Sequence, residues 1–508
     1  MSMKCQVLNR MCMLLYGREY RKFMKKCSVE QVQSDYLMGL LHKNAGTEYG
    51  AKYGFADVTS YEEFAREVPL TVYEDYEPMI REIADGKKHV LTAEDVLLFE
   101  LTSGSTNGKK WIPYTESLKQ EFQRGIKPWL YDIYYRVGGI CGGRSYWSIT
   151  PVTAGKTYTG AGIPVGFEED AEYFGQVEKK IMNKLFAVGP EVKFCTDMTD
   201  FYRRTAKQLL KCGELSLISV WNPTFLTILC DFIAEHVNEL VDGLEPDRSK
   251  KIIRAVRTNR FDRVFPDLRL ISCWADASAA DFVEALKERF PGVFVQPKGL
   301  LSTECFVSFP LVGERGSRLS IYSHFFEFRN IKNGAIVPAW GLAPGEFEVI
   351  VTTGGGFYRY VLGDIVEVLE TYEDRPPRLR FLRRGDSTSD LFGEKLTEEF
   401  VGKVCGALDQ GEAFFLLAPE GTRYCLYTNA DYAITDEWLD KELCENYHYE
   451  YCRNLGQLEQ AVVVPIRGNP EVDYANRLVE EGMRLGDIKP ARLSRKSGWD
   501  QWFDVRQE

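Results

Sequence analysis

The chain has 508 residues, of which 44% are hydrophobic and 27% are charged, a composition typical of globular proteins with roughly two to four domains at this length. Its 63 basic and 74 acidic residues leave a net charge of -11, which disfavours general nucleic-acid binding because such binding needs a basic surface. The 13 cysteines and five histidines lack the spacings of a disulfide framework or a zinc site. With neither a signal peptide nor a membrane-spanning apolar run, we expect a cytoplasmic protein that does not bind membranes and is a monomer.

The first part of the chain, to about residue 95, is predicted to be mainly helical. Segments such as SVEQVQSDYLMGLLHKNAG carry apolar residues at helical spacing. Strand-like runs follow at 96–100, 145–150, 215–220, 268–275 and 293–299, with helical stretches between several of them. Strands that alternate with helices predict an α/β fold with substantial parallel sheet.

The pattern changes near residue 319, where short β-rich runs are divided by glycine and proline. These runs predict a smaller sheet or a distorted barrel appended to the α/β part. The polar stretch RRGDSTSDLFGEKL then separates the β-rich runs from a mixed α+β segment. We predict a large domain over residues 1–383, a hinge over 384–395 and a small, mobile α+β domain over 396–508.

The loop LTSGSTNGKKWIPYT, 101–115, has the residue types that hold phosphate. Ser103, Ser105 and Thr106 offer hydroxyl groups, Gly104 allows close backbone approach and Lys110 adds positive charge. The loop does not fit the Walker pattern, because its glycines are too close together and Lys110 stands where Ser or Thr is required. Composition alone leaves a polar surface turn equally open.

Three later stretches carry further candidates. In QPKGLLSTECFVSFP, Glu304 lies within an apolar run and suits Mg²⁺, although a structural ion pair is the simpler interpretation. In GFYRYVLGDIVEV, Arg359 and Asp364 flank a predicted turn at Gly363; the aspartate could accept from ribose hydroxyls or simply belong to a hairpin. RRGDSTSDLFGEKL by itself indicates only a hinge or loop.

The order and spacing of these motifs are more specific than any one of them. TSGSTNGKK, STE, YRYVLGD and RRGDSTSD resemble, in sequence order, the motifs of the adenylate-forming superfamily of acyl-CoA ligases, adenylation domains and luciferases. SCWADASA, QPKGLLSTE, GFYRYVLGD, SDLFGEKL and NYHYEYCRNLGQL are similar to the Gretchen Hagen family of acyl acid amido synthetases, and closer to its bacterial branch. The resemblance extends from about residue 20 to the end of the chain.

The resemblance implies ATP and Mg²⁺ as cofactors. The implied contacts to the β- and γ-phosphates are Ser103, Gly104, Ser105, Thr106 and Lys110. Thr303 is implied to contact the α-phosphate and Glu304 to place Mg²⁺. The implied contacts to the nucleoside and nearby phosphates are Trp274, Ala275, Asp276, Ala277, Arg359, Asp364 and Arg384. Leu300 stands where the superfamily often has an aromatic residue that stacks on adenine, so adenine must be held differently.

Two further sets of residues are implied less directly. Lys489, in GDIKPARL, is a candidate contact to the phosphoryl group, with a solvated lysine before a proline as the equally open alternative. The acyl pocket of the family is mainly apolar, and the candidates for it here are Trp147, Ile163, Val165, Trp221 and Phe225. For each of these five, simple core packing is the stronger interpretation.

The implied reaction is attack by a carboxylate on the α-phosphorus of ATP, release of pyrophosphate, and transfer of the acyl group to an amine or amino acid. Its first step needs little acid–base chemistry, because the nucleophile is already an anion and catalysis depends on positioning and charge stabilisation. One alternative retains the adenylation and changes the acceptor to a thiol such as CoA or a carrier protein. Another is an inactive nucleotide-binding sensor. The sequence names neither the acid nor the amine.

Overall fold

The computed structural model describes residues 2–101, 110–148, 157–166, 176–195, 198–276, 280–385, 388–389, 391–392, 394, 396–408, 413–431, 433–454, 457–481, 483, 485, 488–489 and 491–505. The chain divides into two compact units. The first comprises Met1–Trp221, Leu229–Trp274 and Arg289–Leu382. The second comprises Asn222–Ile228, Ala275–Glu288 and Arg383–Glu508. Two short segments far from the carboxyl terminus thus group with the second unit, which sequence reasoning did not predict.

The amino-terminal part is helical, as predicted. Its helices are α1 (Met3–Met24), α2 (Val29–Asn44), α3 (Glu48–Lys52), α4 (Tyr61–Glu67) and α5 (Tyr73–Ala84). Several begin at a hydroxyl residue whose oxygen accepts a backbone N–H of the first turn, such as Ser28, Thr47 and Ser60. These caps satisfy donors that have no partner inside the helix.

Strands alternate with helices over the next 200 or so residues, which agrees with the predicted α/β fold. The elements are β1 (Leu98–Leu101), β2 (Trp111–Tyr114), α6 (Glu116–Arg136), β3 (Arg144–Trp147), β4 (Thr157–Tyr158), β5 (Pro164–Val165), α7 (Gln176–Leu185), α8 (Met198–Lys211), β6 (Leu215–Ser219), α9 (Pro223–Leu240), α10 (Pro246–Arg257), α11 (Phe261–Val264), β7 (Leu270–Cys273), α12 (Ala280–Arg289) and β8 (Phe294–Pro297). Four of the strands form a parallel sheet in the order β3-β6-β7-β8. Strands β6 and β7 are buried throughout, which explains their continuous apolar sequence.

A second sheet of the first unit has seven strands in the order β12-β11-β13-β14-β15-β10-β9. Its strands are β9 (Ser308–Pro310), β10 (Ser317–Leu319), β11 (Phe325–Asn330), β12 (Ile336–Pro338), β13 (Gly345–Thr352), β14 (Tyr360–Glu370) and β15 (Arg378–Arg384). It accounts for the predicted β-rich segment. The predicted turn at Gly363 is wrong, because Gly363 lies inside β14. It has a φ of 80°, and the register between β13 and β14 shifts there, so it forms a bulge that redirects Asp364.

The second unit has an α+β fold, as predicted for the small domain. Its elements from β16 onward are β16 (Thr388–Ser389), β17 (Leu396–Thr397), α13 (Glu398–Leu408), β18 (Phe415–Glu420), β19 (Arg423–Thr428), α14 (Asp436–Leu443), α15 (Tyr447–Asn454), β20 (Val462–Arg467), α16 (Pro470–Glu480) and β21 (Asp504–Val505). The sheet order is β18-β19-β20-β21. Phe415 and Leu417 pack into one core cluster, and Leu416 and Ala418 into another. Strand β18 is therefore covered on both faces, which requires an unbroken apolar run.

Glu398 should make the stability of the second unit depend on pH. Its carboxylate accepts hydrogen bonds from the backbone N–H groups of Arg492 and Leu493, but burial is the larger effect and raises the pKa of Glu398 to about 7. Because the folded pKa lies above the unfolded value, the folded state binds more protons between about pH 4.5 and 7. The free energy of unfolding should therefore fall by up to about 3 kcal/mol as the pH rises through that window.

The measurement is denaturant unfolding at pH 5 and pH 8, comparing the wild-type protein with Glu398→Gln, whose side chain does not titrate. The difference in unfolding free energy between the two should change with pH in the stated direction. Parallel stability curves across the window would contradict the assignment.

Candidate active site

One edge of the parallel sheet collects polar and aromatic side chains. Parallel strands bring their carboxyl ends to the same edge, which is where ligands bind in open α/β sheets. The backbone hydrogen bonding between neighbouring strands continues just past the strand ends. The N–H of Trp274 donates to the backbone oxygen of Trp221 at 2.7 Å, and the N–H of Lys298 donates to the backbone oxygen of Cys273 at 2.8 Å. The rings of Trp221 and Trp274 lie 5.9 Å apart. The residues that follow β6, β7 and β8 are therefore held together at this edge.

A pocket opens beside this edge, within the first unit. Its lining is almost entirely apolar and comprises Phe122, Ile126, Trp129, Trp147, Trp221, Lys298, Gly299, Leu301, Phe306, Ser308, Phe309 and Pro310. The cavity volume is about 60 Å³, several times the roughly 10–15 Å³ that one water needs on this measure. Apolar walls with a few convergent polar groups are typical of small-molecule sites.

Two of the five residues predicted for an acyl pocket, Trp147 and Trp221, line this cavity. The others do not. Val165 belongs to a separate small sheet, where it pairs with Phe99, and Ile163 lies in the connection between β4 and β5 of that sheet. Phe225 is buried in the first turn of α9 and belongs to the second unit. Apolar character in sequence did not separate a pocket wall from ordinary core packing.

Lys298 is the charged residue of the pocket, and sequence reasoning missed it. It is 7% exposed, and its ammonium donates to Ser219 Oγ at 2.8 Å. The same nitrogen lies 5.0, 5.8 and 4.8 Å from the ring centres of Trp129, Trp147 and Trp221, within the range of cation–π attraction. A lysine at the end of a predicted strand was the only signal in the sequence.

The STE motif forms the tip of a tight hairpin. The N–H of Ser302 donates to the oxygen of Cys305 at 3.0 Å, and Leu301 pairs with Phe306 across the hairpin. Thr303 and Glu304 therefore occupy the two central positions of the turn. The Tyr114 hydroxyl donates to the oxygen of Thr303 at 2.8 Å, which ties the tip to the end of β2.

A buried hydrogen-bond chain anchors this hairpin to helix α6. The backbone N–H of Phe306 donates to Nε2 of His324 at 2.9 Å, so the proton of that imidazole must be on Nδ1, which lies 2.9 Å from Glu121 Oε2. Glu121 also accepts from the Tyr36 hydroxyl at 2.6 Å and from the N–H of Gly354. One carboxylate thus connects α2, α6, the hairpin and the loop that precedes the YRYVLGD motif.

Phe306 packs so closely on α6 that only glycine fits beneath it. A Cβ at Gly125 would lie 2.2 Å from Cδ1 of Phe306, and the surrounding side chains are buried. We expect Gly125→Ala to lower the free energy of unfolding by about 1–3 kcal/mol through overpacking. Gly39→Ala in α2 is the matched control, because a Cβ added at Gly39 would meet no atom of the described residues within 4 Å.

At Gly39 the alanine should instead raise the unfolding free energy by up to about 1 kcal/mol through helix propensity. Denaturant unfolding of both variants should show a lower unfolding free energy for Gly125→Ala and a higher one for Gly39→Ala. Equal effects at the two positions would show that the contact with Phe306 is not what requires Gly125.

The hairpin tip lies near Asp364. Burial raises the pKa of the Cys305 thiol well above its usual value, and the nearby carboxylates of Glu304, Asp364 and Glu121 raise it further. All three carboxylates thus lie within electrostatic reach of one thiol. Two predicted nucleotide-site residues, Glu304 and Asp364, thus come within reach of the same thiol from positions 60 residues apart in sequence.

Arg359 is held by the protein itself. Its guanidinium makes two hydrogen bonds to Glu327, at 3.0 and 2.8 Å, and donates to the backbone oxygens of Ala65 and Val68. Its φ is 50°, an unusual value for a non-glycine residue. These contacts favour a structural ion pair that fixes the start of β14, so nucleotide binding by Arg359 stays a prediction without support from its contacts.

Other predicted residues are placed only in part. Ser103, Gly104, Ser105, Thr106 and Ala277 lie outside the described residues, as does the side chain of Arg384. Lys110 directly precedes β2, with its ammonium 5.2 Å from the ring centre of Tyr73. Lys489 lies in the second unit, where its backbone oxygen accepts from the Tyr474 hydroxyl at 3.3 Å. Among the described residues no group of three or more His, Cys, Asp or Glu side chains could hold a metal ion; the role predicted for Glu304 requires one carboxylate.

The sequence matches two domain models of one protein family. Residues 18–259 match the GH3 family N-terminal domain, and residues 318–384 match the GH3 family central domain. The chain belongs to the GH3 family, which confirms the resemblance drawn from its motifs. None of the helices described in the structure is both long enough and apolar enough to cross a membrane.

Curated relatives share about a quarter of their residues or less with this chain. The probable indole-3-acetic acid-amido synthetase GH3.1 of Arabidopsis thaliana is 23% identical, over 74% of this chain and 70% of the relative. The jasmonoyl--L-amino acid synthetase JAR6 of Nicotiana attenuata is 25% identical, over 73% and 71%. The solved structure of AtGH3.15 acyl acid amido synthetase in complex with 2,4-DB superimposes with a TM-score of 0.81 and 18% identity, over 98% of this chain and 96% of that one.

Proposed function

We propose that this protein is an ATP-dependent acyl acid amido synthetase, which adenylates a carboxylic acid and transfers the acyl group to an amine or amino acid. The observation that carries the proposal is the pairing of an apolar pocket at the carboxyl edge of the parallel sheet with the Thr303–Glu304 hairpin, both built on the same segment. The names of the relatives, which are amido synthetases and a jasmonoyl-amino acid synthetase, support the same reaction class.

The acyl acid would occupy the pocket lined by Trp147 and Trp221. Its apolar walls would keep water from the body of the acid, next to the carboxylate that reacts. No residue of the chain needs to remove a proton in the first step, because the carboxylate is already ionised. The pocket therefore contributes by position, holding the acid against the nucleotide.

The nucleotide would lie over the hairpin tip and Asp364. Thr303 would donate to the α-phosphate, and Asp364 would accept from the ribose hydroxyls. Lys110 would contribute positive charge at the β- and γ-phosphates. Mg²⁺, when bound through Glu304, would neutralise charge that builds on the phosphoryl oxygens. The anchoring through His324 and Glu121 would hold the backbone of the hairpin that carries Thr303 and Glu304.

We also propose the domain roles expected from the sequence, with adenylation in residues 1–383, a hinge over 384–395 and a small mobile domain over 396–508. Described parts of the hinge segment are hydrogen-bonded within the second unit. Glu394 is fully buried and accepts from the N–H of Phe392 and from the Tyr424 hydroxyl. If the second unit moves between half-reactions, this segment would move with it.

The proposal is tested by ATP–pyrophosphate exchange with a panel of carboxylic acids. Acid-dependent exchange is expected, followed by AMP release that amino acids stimulate. Stimulation by CoA and not by amines would replace the amido synthetase with a thiol ligase. No exchange with any acid on a broad panel would instead favour a nucleotide-binding protein without turnover.

A further inference from the structure

The pocket holds a cation that the first half-reaction does not explain. Lys298 lines the cavity together with eleven other residues, and apart from Ser308 their side chains are apolar or absent. Its ammonium is fixed from one side by Ser219 Oγ and faced by the π-systems of three tryptophans. Such a cage compensates part of the cost of burying an ammonium and at the same time fixes where its charge lies.

Lys298 is placed at the base of the hairpin and not at its reactive tip. Residues 299–301 run alongside 306–308, since Leu300 accepts from the N–H groups of Val307 and Ser308. The pocket is lined by both arms of this base, through Gly299, Leu301 and Phe306, but not by Thr303 or Glu304. The ammonium thus lies among Ser219 and the tryptophans, in a cavity whose lining does not include the tip where the phosphorus would be held.

We infer that Lys298 binds a second anionic group of the acyl acid, at the end remote from the carboxylate that is adenylated. The inference rests on the proposed function for the identity of the reacting end. The substrate class is then a dicarboxylic acid with an apolar body that spans the distance between the hairpin tip and the tryptophan cage. An anion in this water-poor pocket interacts with the ammonium much more strongly than it would in water.

The Lys298 ammonium and the tryptophans around it would also discriminate against monocarboxylic acids. A monocarboxylic acid of the same length would place an apolar end against the Lys298 ammonium and displace water from it without supplying the charge contact that a dicarboxylate supplies. Sites built to pair with a substrate's polar group reject analogues that lack it far more effectively than apolar pockets reject a missing methylene. Lys298 thus acts as a specificity-determining residue and takes no part in phosphoryl chemistry.

Two matched pairs of acids test this: octanedioate against octanoate, and 3-(4-carboxyphenyl)propanoate against 3-phenylpropanoate. Binding to the full-length protein is followed by tryptophan fluorescence, which needs no turnover, and kcat/KM is measured by acid-dependent exchange. In at least one pair the wild-type protein should prefer the dicarboxylate by about tenfold or more. Lys298→Met should abolish that preference mainly through KM. Lys332→Met, at an exposed turn, should leave it unchanged.

Ser219→Ala is a second variant, which removes the anchoring hydroxyl but leaves the charge. It should reduce the preference for the dicarboxylate without abolishing it. If Lys298→Met fails to fold, this variant still tests the inference. Equal affinity for both members of each pair in the wild-type protein, or no binding of either dicarboxylate, would overturn the inference. So would a Lys298→Met variant that loses both acids equally.

The two proposals fail in different ways. If a dicarboxylate binds and Lys298→Met weakens that binding, but no acid supports exchange, then the proposed reaction is wrong and the Lys298 site stands. If monocarboxylates support exchange as well as dicarboxylates do, the reaction stands and the Lys298 inference is wrong.

Discussion

Replacing Glu304 by glutamine should lower acid-dependent ATP–pyrophosphate exchange by about 100- to 1,000-fold, equivalent to about 3–4 kcal/mol in the activation barrier. The amide keeps the shape of the side chain but removes the negative charge that would bind Mg²⁺. Glu304 lies at the centre of a turn and is only partly buried, so the fold should be unaffected. Thermal unfolding of the variant should therefore match that of the wild-type protein.

Glu373→Gln provides the control for this change, because Glu373 is exposed and lies outside the site. It should retain wild-type exchange. The apparent affinity for Mg²⁺, measured from the dependence of exchange on the metal concentration, should fall only in the Glu304 variant. Exchange at the wild-type rate in Glu304→Gln would remove this residue from the catalytic site.

Replacing Glu121 by alanine should have the largest effect on stability, lowering the free energy of unfolding by about 3–5 kcal/mol. The carboxylate is 2% exposed and is hydrogen-bonded to Tyr36, His324 and Gly354. Its removal leaves buried donors without an acceptor. The resulting loss of stability exceeds the net contribution of the hydrogen bonds themselves. Because His324 holds the hairpin through Phe306, a folded variant should also lose exchange activity.

Two variants calibrate that measurement. Tyr36→Phe removes a single hydrogen bond from the same carboxylate and should cost about 1 kcal/mol. Glu116→Ala makes the same chemical change in the exposed first turn of α6 and should change the unfolding free energy by no more than about 0.5 kcal/mol. A Glu121→Ala variant as stable as Glu116→Ala would show that the network does not hold the hairpin.

Several parts of the fold were accessible from sequence because their signals are local. Helical spacing predicted the amino-terminal helices, and continuous apolar runs predicted the strands of the parallel sheet, since a buried strand must be apolar on both faces. The motif order identified the family. Gly363 was misjudged for the same reason, because a glycine and an aspartate indicate a turn locally, and only the pairing of β13 with β14 reveals a bulge.

The candidate site was predicted less completely, because its geometry depends on contacts between distant residues. Glu304 and Asp364 were selected from motifs, and the structure brings both near Cys305. Arg359 belonged to the same motif, yet its charge is directed to Glu327. Ile163 and Val165 looked as suitable for a pocket wall as Trp147 did, since hydrophobicity does not state which surface a side chain faces.

The sequence by itself determined the family, the order of the elements and the chemical types available for binding a nucleotide and an acid. These follow from short-range patterns of hydrophobicity, glycine and charge. Only the tertiary structure decided that Glu121 and His324 support the STE hairpin, and that Lys298 lies among Trp129, Trp147 and Trp221. The physical reason is that burial and low local dielectric, which give a histidine or a lysine its role, arise from residues that come together only when the chain folds.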